Sequence, residues 1–514
     1  MSKTIIIIGA GLAGLSAALQ AAENGCNVKL VSSLPSERAQ SVMAEGGINA
    51  ALNTKDENDS PEEHFTDTIK AACGLADPNA VWGMTQAAPE LVHWLLKLGV
   101  KFNMSGYDDV DLRNFGGQKK KRTAFAQSDT GKQIMTAMID AVRRKEASGM
   151  VERFSHHSFL TLRLCGNICC GCVIRDEYSQ EIVELPGNAV IVASGGMHGL
   201  FGNTTGSLSN TGEVTAELFR LGVPLVNGEM IQYHPTTVEC GGKRMLISEA
   251  ARGEGGRLFA LRNNQPWYFM EEKYPELGNL MPRDITAREI WKVSHESEVF
   301  LDMTEISKEV ISNKLSGLAD DCMTYLHKDI RKEPVPVLPG IHYFMGGILV
   351  DEQHRTSIQN LYAAGECCAQ YHGANRLGGN SLLGALYGGR VAAKSACEQA
   401  DGVVLSCATQ IDIPPASQIS EIKQLNKVMQ ETMGVVRNEN TLLNGIQTVQ
   451  ALTGNLPLLG MAVLKSALAR KESRGAYWRE DYPKSNDDDY LKTTVARFDG
   501  KQIQISFVPV PERR

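Results

Sequence analysis

The residues in this 514-residue chain with the most chemical potential are His234, Arg252, Arg283, His342 and Arg376, each set beside apolar residues or glycine-rich turns. A guanidinium or imidazole in such a frame is costly unless an anion answers it, so their number implies an anionic ligand. Taken singly, His234 in Gln232-Tyr233-His234-Pro235-Thr236 reads as a hydrogen-bonded structural histidine, and Pro282-Arg283-Asp284 reads as a helix start. Together with Arg252 in the segment 246–256 and with His342 and Arg376, they supply more cationic or proton-donating groups near glycine-rich turns than a core tolerates. Residues 341–383 are the densest stretch: His342, Glu366, His372 and Arg376 stand among glycines in I-H-Y-F-M-G-G, A-G-E and H-G-A-N-R-L-G-G-N-S-L. Polar groups and bare backbone together suit close approach of a ligand.

The elements that must position these groups begin at the N-terminus. Thr4–Ile8 is a short apolar strand pattern, followed by Gly9-Ala10-Gly11-Leu12-Ala13-Gly14 and a helical pattern over 15–24. The spacing of Gly9, Gly11 and Gly14 suits a tight turn, backbone approach to a pyrophosphate and close helix-strand packing. A second strand, 27–31, ends in Ser32 and Ser33, where a dinucleotide fingerprint normally has an acid, which weakens an NAD reading more than nucleotide binding in general. The loop 38–47, with Ala44, Gly46 and Gly47, can lie along a large flat cofactor. Phe115, beside two glycines, is a candidate wall. A buried strand over 188–196 returns to the same parallel sheet, and Thr211 is placed to cap a helix from Glu213. Residues 360–364 form another strand pattern, and a helix over 381–398 opens with Ser381 and Leu382.

Length implies two or three domains, and 43% hydrophobic with 22% charged residues implies a globular chain. The net charge of -7 argues against nucleic acid as a partner. The strand pattern close behind Met1 leaves no room for a signal peptide, and no apolar run reaches membrane-spanning length, so a cytoplasmic chain is expected. Twelve scattered cysteines read as reduced thiols. Cys165, Cys169, Cys170 and Cys172 lie in an alternating segment, 159–183, that reads as a hairpin, and no metal site is expected there. Residues 412–415 read as a linker, followed by helical patterns over 420–433, 438–452 and 458–470 and a final hairpin over 493–510.

These motifs, with Ala44-Glu45-Gly46-Gly47 and the late R-K-E-S-R-G-A-Y-W-R-E-D, resemble the flavoprotein subunit family of succinate dehydrogenase and fumarate reductase over nearly the whole chain. The resemblance implies an α/β fold: a Rossmann-like FAD-binding domain from residues 1–228 and 346–400, an inserted α+β capping domain at 229–345, and a mainly helical C-terminal domain at 401–514. It implies FAD held by Gly9, Gly11, Leu12, Ala13 and Gly14 at the pyrophosphate and by Ser32 and Ser33 at the adenosine end. Ala44, Gly46, Gly47, Glu213 and Glu366 would hold its middle, and Ser381 and Leu382 the flavin end. It assigns a dicarboxylate to His234, Ser248, His342 and Arg376, with Phe115 as a wall of that site. It assigns proton delivery to Arg283, with Glu249 and Arg252 as relay. The activity implied is fumarate reduction or succinate oxidation, with an iron-sulfur subunit as partner and attachment at the membrane periphery through it.

Two departures stand out. Respiratory members carry a histidine bonded to FAD where this chain has Gln40, so FAD is expected to be noncovalent and the balance to lie toward fumarate reduction. The C-terminal portion is also compact for that family, which weakens the expectation of iron-sulfur docking. The related L-aspartate oxidases, which also bind FAD noncovalently, carry Glu-Gly-Gly where this chain has Phe115-Gly116-Gly117, and Phe115 cannot address an ammonium. A flavin electron-transfer subunit or sensor would have no need of the Arg283, His234, His342 and Arg376 set.

Overall fold

The structure, a computed structural model, describes residues 2–106, 109–400, 412–413 and 418–514. Its centre is a parallel sheet in the order Leu361–Ala363, Ala189–Val192, Thr4–Ile8, Asn27–Ser32, Val151–Ser155. Ile5, Ile6, Ile7 and all four residues of Ala189–Val192 are fully buried. Strands covered on both faces read as continuous apolar runs, which is why these segments do not alternate.

Two helices lie side by side against this sheet, Leu12–Glu23 and Asn380–Gln399. Glycines let them approach: a Cβ at Gly389 would fall 2.3 Å from the Ala13 carbonyl oxygen, and one at Gly14 would fall 1.8 Å from the Gly9 carbonyl oxygen. The first helix begins at Leu12, with Gly11 at its N-cap, three residues earlier than its apolar spacing suggests. The fingerprint turn and the first helical turn share Leu12, Ala13 and Gly14, so the glycine hides the helical start. The second helix runs from Asn380 to Gln399, so order continues past Cys397, where the pattern loosens. Of the expected linker only Asp412 and Ile413 lie within the described residues.

Between Ile231 and Phe344 the chain builds a separate α+β unit. Ile231–Cys240 runs antiparallel to Lys243–Leu246 and Leu338–Phe344, and a second sheet pairs Arg257–Arg262 with Gln265–Trp267 and Val299–Asp302. Its core includes Ile247, Leu258, Met270 and Leu301, and Phe115 packs into that core from outside the segment.

Three C-terminal helices, Ile419–Thr432, Glu439–Val449 and Asn455–Ala469, are followed by the hairpin Lys492–Phe498 and Ile503–Pro509. That hairpin pairs with Leu225–Val226, extending a sheet that continues to Gly347–Leu349 and Cys368–Ala369. The late arginine-rich motif clasps this junction. Fully buried Arg470 donates to Glu229 Oε1 at 2.8 Å and to Glu472 Oε1 at 2.7 Å, and Glu472 also accepts from Arg474. The hairpin expected over 159–183 is three-stranded: His157–Cys165, Ile168–Asp176 and Ile182–Pro186.

Candidate functional site

A single elongated cavity of about 730 Å³ runs from the C-terminal ends of the parallel strands to the α+β unit. At its strand end lie Gly9, Gly11, Leu12 and Ala13, with Ser32 and Ser33 at the tip of the second strand. Gly11 has no neighbour closer than 3.6 Å to an added Cβ, so its bare face opens toward the cavity, whereas Gly9 is hemmed in by the Ala193 carbonyl. Gly14 does not line the cavity; its role is the helix-turn contact described above. The first turns of two helices border the same space through Leu12, Ala13, Ser381 and Leu382, and the positive ends of their dipoles favour a pyrophosphate and an electron-rich ring edge. Ala44, Gly46, Gly47, Glu213, Glu366, Ser381 and Leu382 line the middle. Buried polar atoms without a partner among the described residues, Ser32 Oγ, Gln40 Oε1 and Glu45 Oε2, mark its wall. The donor set and the glycine cradle therefore fit a dinucleotide with a flat ring system. Helix Glu213–Arg220 has Gly212, in the left-handed region at φ 86°, at its N-cap; Thr211 Oγ1 still accepts from the Glu213 amide at 3.2 Å.

At the other end stand His234, Ser248, Glu249, Arg283, His342, Arg376 and Phe115. All are buried. Arg283 donates from Nε to Glu249 Oε2 at 2.7 Å, and its Nη2 lies 2.5 Å from the same oxygen. Glu249 Oε1 accepts from the Gly116 amide at 3.0 Å and faces Arg252 Nη2 at 3.6 Å. Arg252 stands behind Glu249 rather than in the cavity wall, anchored by donation to the Asn279 carbonyl at 2.7 Å. Burial alone would raise the Glu249 pKa, but Arg283 and Arg252 outweigh it and hold the carboxylate below its ordinary range.

Gln232, which no local pattern separates from its neighbours, joins the two cavity arginines. Its Oε1 accepts from Arg283 Nη1 at 3.1 Å and from Arg376 Nη2 at 2.8 Å, while its Nε2 donates to Asn375 Oδ1 at 2.9 Å and to the Arg376 carbonyl at 2.8 Å. Arg376 also lies over the Tyr343 ring, 4.4 Å from its centroid, and its Nε has no partner among the described residues. The three buried guanidiniums of Arg252, Arg283 and Arg376 thus share one carboxylate, Glu249, their other partners being the neutral oxygens of Gln232 and Asn279, an excess of positive charge that a dianion would neutralise.

The two histidine rings meet edge to face at 5.1 Å. Burial, followed by Arg283, pulls both pKa values well below 6.5, so both rings are neutral at physiological pH. His342 Nδ1 bonds Thr205 Oγ1 at 2.9 Å. His234 Nδ1 faces the Thr236 carbonyl at 3.0 Å, the Thr236 amide at 3.3 Å and its hydroxyl at 3.4 Å, and Nε2 has no partner among the described residues. The tautomer that donates from Nδ1 to the Thr236 carbonyl leaves Nε2 an acceptor, and the one that accepts at Nδ1 from the Thr236 amide leaves Nε2 a neutral donor toward the cavity. Ser248 caps the short helix Glu249–Gly253, its Oγ accepting from the Ala250 amide. His372 is buried nearby but does not line the cavity.

Residues 4–382 match the family described as FAD binding domain, and residues 452–513 match that described as fumarate reductase flavoprotein C-term. The chain is similar to a succinate dehydrogenase flavoprotein subunit of Bacillus subtilis, 37% identical over 575 aligned residues that cover 100% of this chain and 98% of that protein. The chain belongs to the succinate dehydrogenase and fumarate reductase flavoprotein family. It is accordingly an FAD-dependent oxidoreductase with the α/β fold expected. An 8-methylmenaquinol:fumarate reductase flavoprotein subunit of Wolinella succinogenes is 32% identical, with coverage of 100% and 92%. An E. coli quinol fumarate reductase structure superposes with TM-score 0.89 at 27% identity, covering 99% of this chain and 97% of that one. No helix among the described residues is long and apolar enough to cross a membrane.

Glu45, in the loop against the cavity, escaped notice as a titrating group. Burial and Asp321 push its pKa up to about 8, against a Ser248 hydrogen bond and Arg113 that lower it. The folded protein therefore binds a proton that the unfolded chain releases above about pH 4.5, so this group's contribution to stability falls as pH rises toward 8. Glu45→Gln keeps the neutral shape. The apoprotein variant is expected to melt with wild type at about pH 4 and above it at about pH 9 by calorimetry. A difference that does not change with pH would show Glu45 ionised in the fold.

Proposed function

We propose that the chain interconverts fumarate and succinate, with fumarate reduction the favoured direction. The observation that carries the reading is the pair Arg283 and Arg376, bridged by Gln232 Oε1 and facing the FAD-binding strands in one cavity with two neutral histidines. FAD, when bound, supplies or accepts the hydride equivalent. Arg376, His234, Ser248 and His342 would hold the two carboxylates, the arginine by charge-assisted bonds and the others by neutral donation. Twisting one carboxylate out of conjugation would make the double bond electrophilic. Arg283 would donate an Nη proton to the carbon that hydride does not reach. A guanidinium is a poor acid, so it acts while negative charge develops, and Glu249 with Arg252 behind it would return the proton.

Ser32, Ser33, Gly11, Glu213, Glu366, Ser381 and Leu382 would hold FAD without a covalent bond, because Gln40 offers no nucleophilic imidazole. Acid precipitation of the purified protein is expected to leave the flavin in the supernatant; yellow colour in the pellet would refute this. An iron-sulfur partner subunit, and attachment at the membrane periphery through it, are proposed because the relatives are named as subunits. L-Aspartate oxidation is the weaker reading: Phe115 packs its ring against Gly46 and Gly378 and offers an ammonium nothing. A flavin electron carrier is disfavoured by the same unbalanced arginines. The deciding experiment is turnover of fumarate with reduced viologen, of succinate with a dye acceptor, and of L-aspartate, in parallel. Turnover of L-aspartate alone, or fumarate binding without any turnover, would overturn the proposal.

A further inference from the structure

Cys26 and Cys397 stand 371 positions apart in sequence, yet their sulfurs lie 3.0 Å from each other. Cys26 is buried between helix Leu12–Glu23 and strand Asn27–Ser32. Cys397 sits in the last turn of helix Asn380–Gln399 and is partly exposed. Lys3 Nζ donates to the Cys397 carbonyl at 2.6 Å, fixing that helix end against the first strand. A disulfide needs its sulfurs about 2.05 Å apart. The two sulfurs are therefore about 1 Å from bonding distance.

We infer that Cys26 and Cys397 form a dithiol that closes to an intramolecular disulfide. The oxidant is a low-molecular-weight disulfide, RSSR. The Cys397 thiolate, the accessible one, attacks one sulfur of RSSR, forming a mixed disulfide and releasing one RSH. The Cys26 thiolate then attacks Cys397 Sγ, the Cys26–Cys397 bond forms and the second RSH leaves. Two thiols are oxidised and one RSSR is reduced to two RSH.

Burial and the neighbouring Cys26 push the Cys397 thiol above its ordinary range, with Lys3 pulling the other way. Attack is therefore slow at neutral pH and faster in alkaline buffer. A reducing compartment keeps the pair open. Once closed, the bond ties the far ends of two helices whose N-termini both face the cofactor cavity. It would restrict a long loop of the unfolded chain, so it should stabilise the fold.

The test incubates the purified holoprotein with oxidised glutathione at mildly alkaline pH, alkylates remaining thiols and maps peptides by mass spectrometry without reduction. A Cys26–Cys397 cross-linked peptide is expected, reversed by dithiothreitol, with a higher thermal midpoint than the reduced protein. Cys26→Ser is expected to leave Cys397 as a stable glutathione adduct, and Cys397→Ser to leave Cys26 unmodified, with neither variant gaining in midpoint. The peptide map of wild type stands even if a variant folds poorly. The inference is overturned if wild-type Cys397 retains glutathione beside a free Cys26, or if both thiols remain alkylatable after prolonged oxidation.

Discussion

Arg283→Ala is expected to lower fumarate reduction by about 10²- to 10⁴-fold while FAD content and dicarboxylate affinity stay close to wild type. Arg283 spends Nε and Nη2 on Glu249 and Nη1 on Gln232, so the fold holds it through these bonds and leaves its contribution to the reaction for the transition state. Removing it does not strand Glu249 completely, because the Gly116 amide and Arg252 still address its Oε1. The loss should therefore appear in kcat, measured with reduced viologen, with fumarate affinity followed separately by calorimetry. Arg283→Lys supplies a check: a lysine keeps the charge but cannot span Glu249 and Gln232 together, so it should rescue folding more than rate. A normal kcat with weakened binding would make Arg283 a ligand to the substrate and move the acid to His234 or His342.

Arg376→Ala should lose affinity and rate together. A charge-assisted bond to a carboxylate contributes about 1.5–3 kcal/mol, which corresponds to roughly a 10- to 150-fold weaker dicarboxylate complex. The variant also frees Gln232 Oε1 from one of its two guanidiniums and uncovers the Tyr343 ring, so Arg283 should become less well aimed and kcat should fall as well. Calorimetric titration with fumarate and succinate measures the first effect, and steady-state reduction the second. Unchanged affinity would mean that Arg376 does not hold a carboxylate, and the excess positive charge of the cavity would need another explanation.

The nucleotide-binding half of this protein was legible in its sequence because its signals are local. An apolar strand, three spaced glycines and a helix follow one another without a break from Thr4 to Glu23, and a doubly wound sheet leaves little choice about what they build. The arginines and histidines could be singled out on similar grounds, since charged groups among glycines are conspicuous wherever they fall. What the sequence could not state was which of them meet. Gln232 joins Arg283 to Arg376 across separations of 51 and 144 residues, and the direction of its amide is set by Asn375 and the Arg376 carbonyl. Arg252 proved to stand behind Glu249, Phe115 to belong to the core of the α+β unit, and Glu45 to lie where burial keeps it protonated. The R-K-E-S-R motif carried family resemblance but no visible purpose until Arg470 was seen clasping Glu229 and Glu472, and nothing in periodicity could bring Cys26 to Cys397. Residue type and spacing decide local conformation through short-range sterics and burial. Pairing, protonation and access depend on the field and packing made by distant segments, and those exist only once the chain has folded.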